Sequence, residues 1–340
     1  MMRVLRLHGK GDLRLHTEPD PVAGPDEAVV LIHTVGICGS DLHWVEHGGV
    51  GETQLEKPMV LGHEFSGVVN DREGQPVLVA VDPAIPCGQC RSCQEGHPNL
   101  CWQIRFAGYG VEDGAFREQM AWPKRCLHPL PEKLTATDGA LLEPLGVALH
   151  AVDLGSLKMG MKVGVFGCGP IGLLIVRIAR LMGASQVIST DILPHRLEVA
   201  RELGATTVLA SPDGAERAEV WATSAGEGVD VAFEVAGENA AVETAVASTR
   251  AGGSVVLVGI PGSDITSFQA STARRKGLTI KLSRRMKHAY PRAIGLVEQG
   301  LVDVRSLVTH RFQLEDYAKA FAVARRREGL KVVIELAPPI

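Results

Sequence analysis

Four cysteines fall within fifteen residues, Cys87-x2-Cys90-x2-Cys93-x7-Cys101. Thiolates two residues apart can converge on one centre, and a closed shell of four thiolates is a common structural zinc site. The residues between them, Gly88, Gln89, Arg91, Ser92 and the run Gly96-His97-Pro98-Asn99, are turn formers without an apolar period. The segment therefore reads as a loop held by its ligands, a lobe spanning about residues 86–102. Two disulfides are the alternative pairing, but nothing else in the chain suggests an oxidising compartment. A nucleic-acid zinc module is disfavoured by the net charge of -4, which lacks a basic footprint.

The chain is long enough for two cores: 340 residues, 45% hydrophobic and 22% charged. The longest apolar candidate, near residues 171–181, contains Arg177 and Arg180. The start, Met1-Met2-Arg3-Val4-Leu5-Arg6, lacks the apolar stretch of a signal peptide. The expectation is a cytoplasmic protein with no membrane and no nucleic-acid partner. Cys126 and Cys168 read as small buried hydrophobes.

Residues 1–150 read as irregular β structure. A hairpin turns at Gly9-Lys10-Gly11-Asp12, and apolar strands are expected over 28–35, 68–69 and 77–81. After Leu157 the texture changes. Short apolar strands near 163–166, 186–190, 207–209, 229–235, 254–259 and 278–282 are interleaved with helical stretches such as 171–182, 194–203 and 240–249. Such alternation indicates an α/β fold with a parallel sheet covered by helices, and six strands complete a doubly wound dinucleotide fold. Helices over 291–299 and 314–326 and a strand over 332–336 then return the chain to the first domain.

Gly167-Cys168-Gly169-Pro170-Ile171-Gly172 follows the strand 163–166 and opens the next helix. In that setting Gly167 permits a tight turn, Gly169 lets phosphates approach the backbone, and Gly172 lets helix pack on strand. The N–H groups near Pro170 and Ile171 would hold a pyrophosphate. Asp191, at the end of the next strand, suits ribose hydroxyls and favours NAD over NADP. Arg196 could receive a 2′-phosphate but reads as a solvated helix residue.

Upstream lie Cys38 in Gly36-Ile37-Cys38-Gly39-Ser40-Asp41-Leu42-His43, then Gly62-His63-Glu64, then Glu143-Pro144-Leu145. Singly, each has an ordinary structural explanation. Together with the cysteine lobe and the glycine fingerprint, in this order, the chain resembles the zinc-dependent medium-chain dehydrogenases, the alcohol and polyol dehydrogenase family. The likeness runs nearly end to end and is strongest to the polyol branch, the sorbitol and L-idonate dehydrogenases. It is carried also by Glu46-His47-Gly48-Gly49-Val50-Gly51, Pro58-Met59-Val60-Leu61 and Leu307-Val308-Thr309-His310-Arg311-Phe312.

The resemblance implies a GroES-like catalytic domain over residues 1–150 and 286–340 and a Rossmann domain over 151–285. It implies two zinc ions per chain, NAD, and hydride transfer from a secondary alcohol of a polyol or sugar acid. Cys38 and His63 would bind a catalytic zinc and Glu64 would be a third ligand. Glu143 would ligate directly or hold the metal's water. A carboxylate here replaces the second cysteine of simple alcohol dehydrogenases. Asp41 would orient a ligand, and Ser40 and His43 would relay a proton to solvent. Arg285 is a substrate-binding position of the polyol branch. Trp44, Phe106 and Tyr109 are candidate pocket residues, and Arg105 with Arg285 could grip a sugar-acid carboxylate. Relatives are commonly homodimers or homotetramers. L-Threonine dehydrogenase, a zinc-free quinone reductase and a non-catalytic zinc-binding interaction protein are the competing readings.

Overall fold

The computed structural model describes residues 1–210 and 216–337; residues 211–215 and 338–340, which fall within the two expected domains, lie outside it. Two compact units are present, one formed by Met1–Pro144 with the chain from Lys287 onward, the other by Leu145–Met286. The first boundary falls at Pro144, not after residue 150, and lies inside the helix Ala136–Gly155.

In the first unit the Val- and Ile-rich segment Glu27–Gly36 forms a central strand, as β-branched side chains favour. The seven-stranded sheet runs Leu127–Pro129, Pro76–Val81, Glu64–Asn70, Glu27–Gly36, Lys331–Glu335, Val308–Gln313, with Gln119–Pro123 also pairing on Glu27–Gly36. The late strand Lys331–Glu335 is thus inserted beside an early one. It pairs antiparallel through Val333 opposite Gly36 and parallel with Val308–Gln313. Met2–Gly9 and Asp12–Glu18 form the expected hairpin, completed by Met59–Val60. Leu5, Leu7, Ile32, Met59, Phe65, Phe116, Trp44 and Trp122 are among the buried side chains of the core that these sheets enclose.

The second unit is built on a six-stranded sheet in the order Thr207–Ala210, Gln186–Asp191, Lys162–Phe166, Val229–Glu234, Thr249–Leu257, Thr279–Leu282, and every pair is parallel. Order reverses between Lys162–Phe166 and Val229–Glu234, the switch point at which such sheets bind nucleotides. The region 314–326 is not one helix. A 3-10 turn, Leu314–Asp316, precedes the helix Tyr317–Arg326. Among the described residues no helix is long and apolar enough to cross a membrane.

Candidate functional site

The cysteine lobe gathers its thiols. Cys87, Cys90, Cys93 and Cys101 place their sulfurs within 4.8 Å of one another, with Cys90 to Cys93 at 3.5 Å and Cys87 to Cys93 at 4.0 Å. Those separations exceed a disulfide bond and match the ~3.8 Å edge of a tetrahedron with Zn–S bonds of about 2.3 Å. All seven cysteines of the chain are free. Backbone N–H groups of Gln89 and Cys90 aimed at the Cys87 sulfur lower its pKa to about 6, whereas burial and the Cys90 thiol push Cys93 up to about 12. The lobe is not pure loop: Arg91–Gln94 closes one helical turn and Pro98–Leu100 a 3-10 turn. These turns bring Cys93 and Cys101 back towards Cys87.

A second donor set lies in the same unit. Cys38 caps the helix Gly39–His47, and His63 and Glu64 stand at the head of the strand Glu64–Asn70. Their sulfur, nitrogen and oxygen donors lie within 4.8 Å of one another. Soft thiolate, imidazole and hard carboxylate in one cluster suit zinc, and three protein donors leave a coordination position for substrate. Asp41, fully buried, accepts from the N–H groups of Cys38 at 2.9 Å and Gly62 at 3.2 Å. Its Oδ1 faces His63 Nδ1 at 3.6 Å, which leaves Nε2 for the metal. Burial, then the Glu64 charge, pushes the Cys38 thiol up to about 12. Burial likewise pushes the Glu143 carboxyl up to about 8, the Glu64 and Cys38 charges adding to it. Both shifts mark groups that gain from a nearby cation. Glu143, on the helix Ala136–Gly155, is buried and feels these charges, but it is not part of the convergent trio.

Other expected residues sort differently. Ser40 bonds the Cys38 thiol. His43 is part-buried one turn along the helix, its ring 5.7 Å from that of His47, and burial, then His47, lowers its pKa. The Phe106 ring lies 5.5 Å from that of His63. Trp44 is only 1% exposed and packs edge-on to Tyr109, so it is a core residue with no face for substrate. Arg105 is exposed, and its Nε and Nη2 are both taken by Glu112 at 2.8 Å, which removes it from the carboxylate grip considered with Arg285. Arg285 belongs to the second unit and has a left-handed backbone, φ 56°.

Sequence reasoning missed Lys331 and the part of Gly36. Lys331 is 4% exposed and donates to both Glu64 oxygens, at 2.8 and 2.7 Å. Burial opposes its charge, yet Glu64 and Cys38 hold its pKa above the ordinary lysine value. A lone cation heading the apolar run Val332-Val333-Ile334 was the only signal available.

In the second unit Gly167 has φ 108° and ends the strand Lys162–Phe166, and Gly169 caps the helix Pro170–Leu181 with Pro170 in its first turn. A side chain on Gly172 would strike the Gly167 carbonyl, whereas the nearest atom to one on Gly169 is Arg196 Nη1 at 3.8 Å. The elbow is therefore tight where helix meets strand and open where phosphates would lie. Ile171 follows Pro170 in the first turn. Asp191 accepts from Cys168 N–H at 2.7 Å and Leu193 N–H at 2.8 Å. Arg196 is not solvated as expected. It folds back from the first turn of Pro194–Glu202 to 3.8 Å from Asp191, its side chain 14% exposed.

A zinc-competent trio in a β-rich unit, a closed thiolate lobe, and a nucleotide elbow at a sheet's switch point together define a metal- and nucleotide-dependent oxidoreductase. Residues 24–132 match the family model of the alcohol dehydrogenase GroES-like domain, and residues 170–299 that of the zinc-binding dehydrogenase. Human sorbitol dehydrogenase is 38% identical over 98% of this chain and 96% of its own length; the Bacillus subtilis sorbitol dehydrogenase is 34% identical over 98% and 97%. Among solved structures, L-idonate 5-dehydrogenase from Escherichia coli superposes with a TM-score of 0.90 at 30% identity, over 98% of each chain. The chain belongs to the zinc-dependent alcohol dehydrogenase family, and its cofactors are those of that family, zinc and a nicotinamide dinucleotide.

Proposed function

We propose that this protein oxidises a secondary hydroxyl of a polyol or sugar acid with NAD. The observation that carries this reading is the convergence of Cys38, His63 and Glu64. The sorbitol and L-idonate dehydrogenases among its relatives support the substrate class. Asp191 supports NAD over NADP, as its carboxylate disfavours a 2′-phosphate.

When bound, zinc supplies a Lewis acid that lowers the pKa of a hydroxyl, and NAD supplies the hydride acceptor. Cys38, His63 and Glu64 would hold the metal, and Asp41, whose Oδ1 lies 3.6 Å from His63 Nδ1, would orient the ring. Ser40 Oγ, beside Cys38, receives the substrate's hydroxyl proton, and His43 passes it towards solvent. A histidine with a lowered pKa is neutral near pH 7 and free to accept it. Phe106, packed by His63, keeps water from the reacting carbon. Glu143 pairs with a further substrate hydroxyl. The glycine elbow at Gly167, Gly169 and Gly172 receives the pyrophosphate.

The same reading includes a cytoplasmic location, supported by seven unpaired cysteines, and a homodimer or homotetramer. Light scattering on a sizing column reports the latter. Rates of NADH formation with sorbitol, xylitol, galactitol and L-idonate test the reaction. Turnover of none of them, with both metal sites loaded, would reject it.

A further inference from the structure

Among the described residues Lys331 is the only lysine or arginine that is buried. Its three ammonium hydrogens have three acceptors, the two Glu64 oxygens and the Ile37 carbonyl at 3.2 Å. Glu64 is held from the other side by shape. It is the register partner of Gly36, and a Cβ on Gly36 would overlap Glu64 Oε2. The strand that brings Lys331 pairs Val333 with that same Gly36. Three strands thus meet at one carboxylate.

That carboxylate is claimed twice. Its oxygens touch an ammonium, and one also lies within 4.8 Å of the Cys38 sulfur and a His63 nitrogen. A carboxylate has lone pairs enough for both, but each cation weakens its hold on the other. Cys38, Asp41, Glu64 and Glu143 gather four acidic groups in a site from which solvent is largely excluded. Among the described residues Lys331 is the buried cation that contacts it, through Glu64.

We propose that Lys331 is a positioning residue for the metal centre, which keeps Glu64 an exchangeable ligand instead of a permanent one. This deepens the proposed function and rests on its assignment of zinc to Cys38, His63 and Glu64. With the ammonium gone, the metal becomes the one cation left to Glu64. Zinc leaves more slowly, and a coordination position that substrate needs is blocked.

The test uses the zinc-loaded enzyme and a chromophoric chelator. Wild type releases two zinc ions, one from the thiolate lobe, which serves as internal control. Lys331→Met should slow release of the other by roughly tenfold or more, leaving the lobe's phase unchanged. Lys331→Arg should stay within about threefold of wild type. In a Glu64→Gln background, Lys331→Met should change release by less than about threefold, because the two residues act as one unit. Cobalt-substituted Lys331→Met should show a d–d spectrum shifted towards higher coordination, with kcat lowered and the KM for NAD unmoved. If Lys331→Met does not fold, Lys331→Gln, which keeps a donor without the charge, carries the same expectation. Release at the wild-type rate or faster overturns the inference. Faster loss of both ions would mean general destabilisation and overturns it equally. A wild type that binds zinc only in the lobe rejects the functional reading itself, and the inference with it.

Discussion

Gly36 and Glu64 face each other across two antiparallel strands, and the missing side chain of one is the space the other fills. The backbone at Gly36 is not left-handed, so glycine is not required there by φ. A Gly→Ala change at such a position ordinarily stabilises by restricting the unfolded chain. Here Gly36→Ala should instead cost about 1–3 kcal/mol by overpacking a buried carboxylate. Denaturant unfolding of the zinc-loaded protein gives the sign directly.

The thiolate lobe should be separable from the reaction centre. Cys93→Ser breaks the closed shell, and zinc content should fall from about two to about one per chain. Elemental analysis of the purified variant checks this, and full loss of zinc would show that the two sites depend on each other.

Asp191 holds two backbone N–H groups, of Cys168 and Leu193, that set the shape of the elbow. Asp191→Ala leaves both without an acceptor and frees the neighbouring Arg196 guanidinium. Losing such charge-assisted bonds should raise the KM for NAD by about tenfold to a hundredfold, with a smaller penalty for NADP. Steady-state kinetics with both dinucleotides measure the ratio.

His43→Ala should slow oxidation by less than the ~10²-fold that follows loss of a direct general base, because in the proposed relay His43 only forwards the proton. Rates should recover as pH rises and solvent takes over the transfer. A loss that persists at every pH removes His43 from the relay.

His128 stacks on Tyr290 with ring centroids 4.5 Å apart, and burial holds its pKa below the ordinary 6.5. The unfolded chain therefore binds a proton at higher pH than the folded one. Stability should be unaffected above pH 6.5 and fall as pH drops from there through the lower folded value. His128→Phe keeps the stack and should flatten that part of the stability curve, as thermal unfolding across pH 5–7 would report.

The donor sets were legible because metal chemistry demands rare residue types at close spacing. Cys87, Cys90, Cys93 and Cys101 announce themselves within one lobe, and the Gly167–Gly172 elbow within one turn. What was hidden lies in pairings between distant segments. Lys331 meets Glu64 across 267 residues of sequence, and Gly36 read only as the start of the motif that contains Cys38. Trp44 misled for the same reason, since its ring partner Tyr109 is distant in sequence, whereas Arg105 is taken by Glu112 only seven residues on.

The strand Lys331–Glu335 lies inside its sheet, between Glu27–Gly36 and Val308–Gln313. During translation, Glu64 leaves the ribosome long before the ammonium that neutralises it exists. Until then the nascent first unit has an unfilled gap in its sheet, a surface open to chaperones or to wrong strand partners. The nucleotide unit, contiguous from Leu145 to Met286, has no such wait and can mature first.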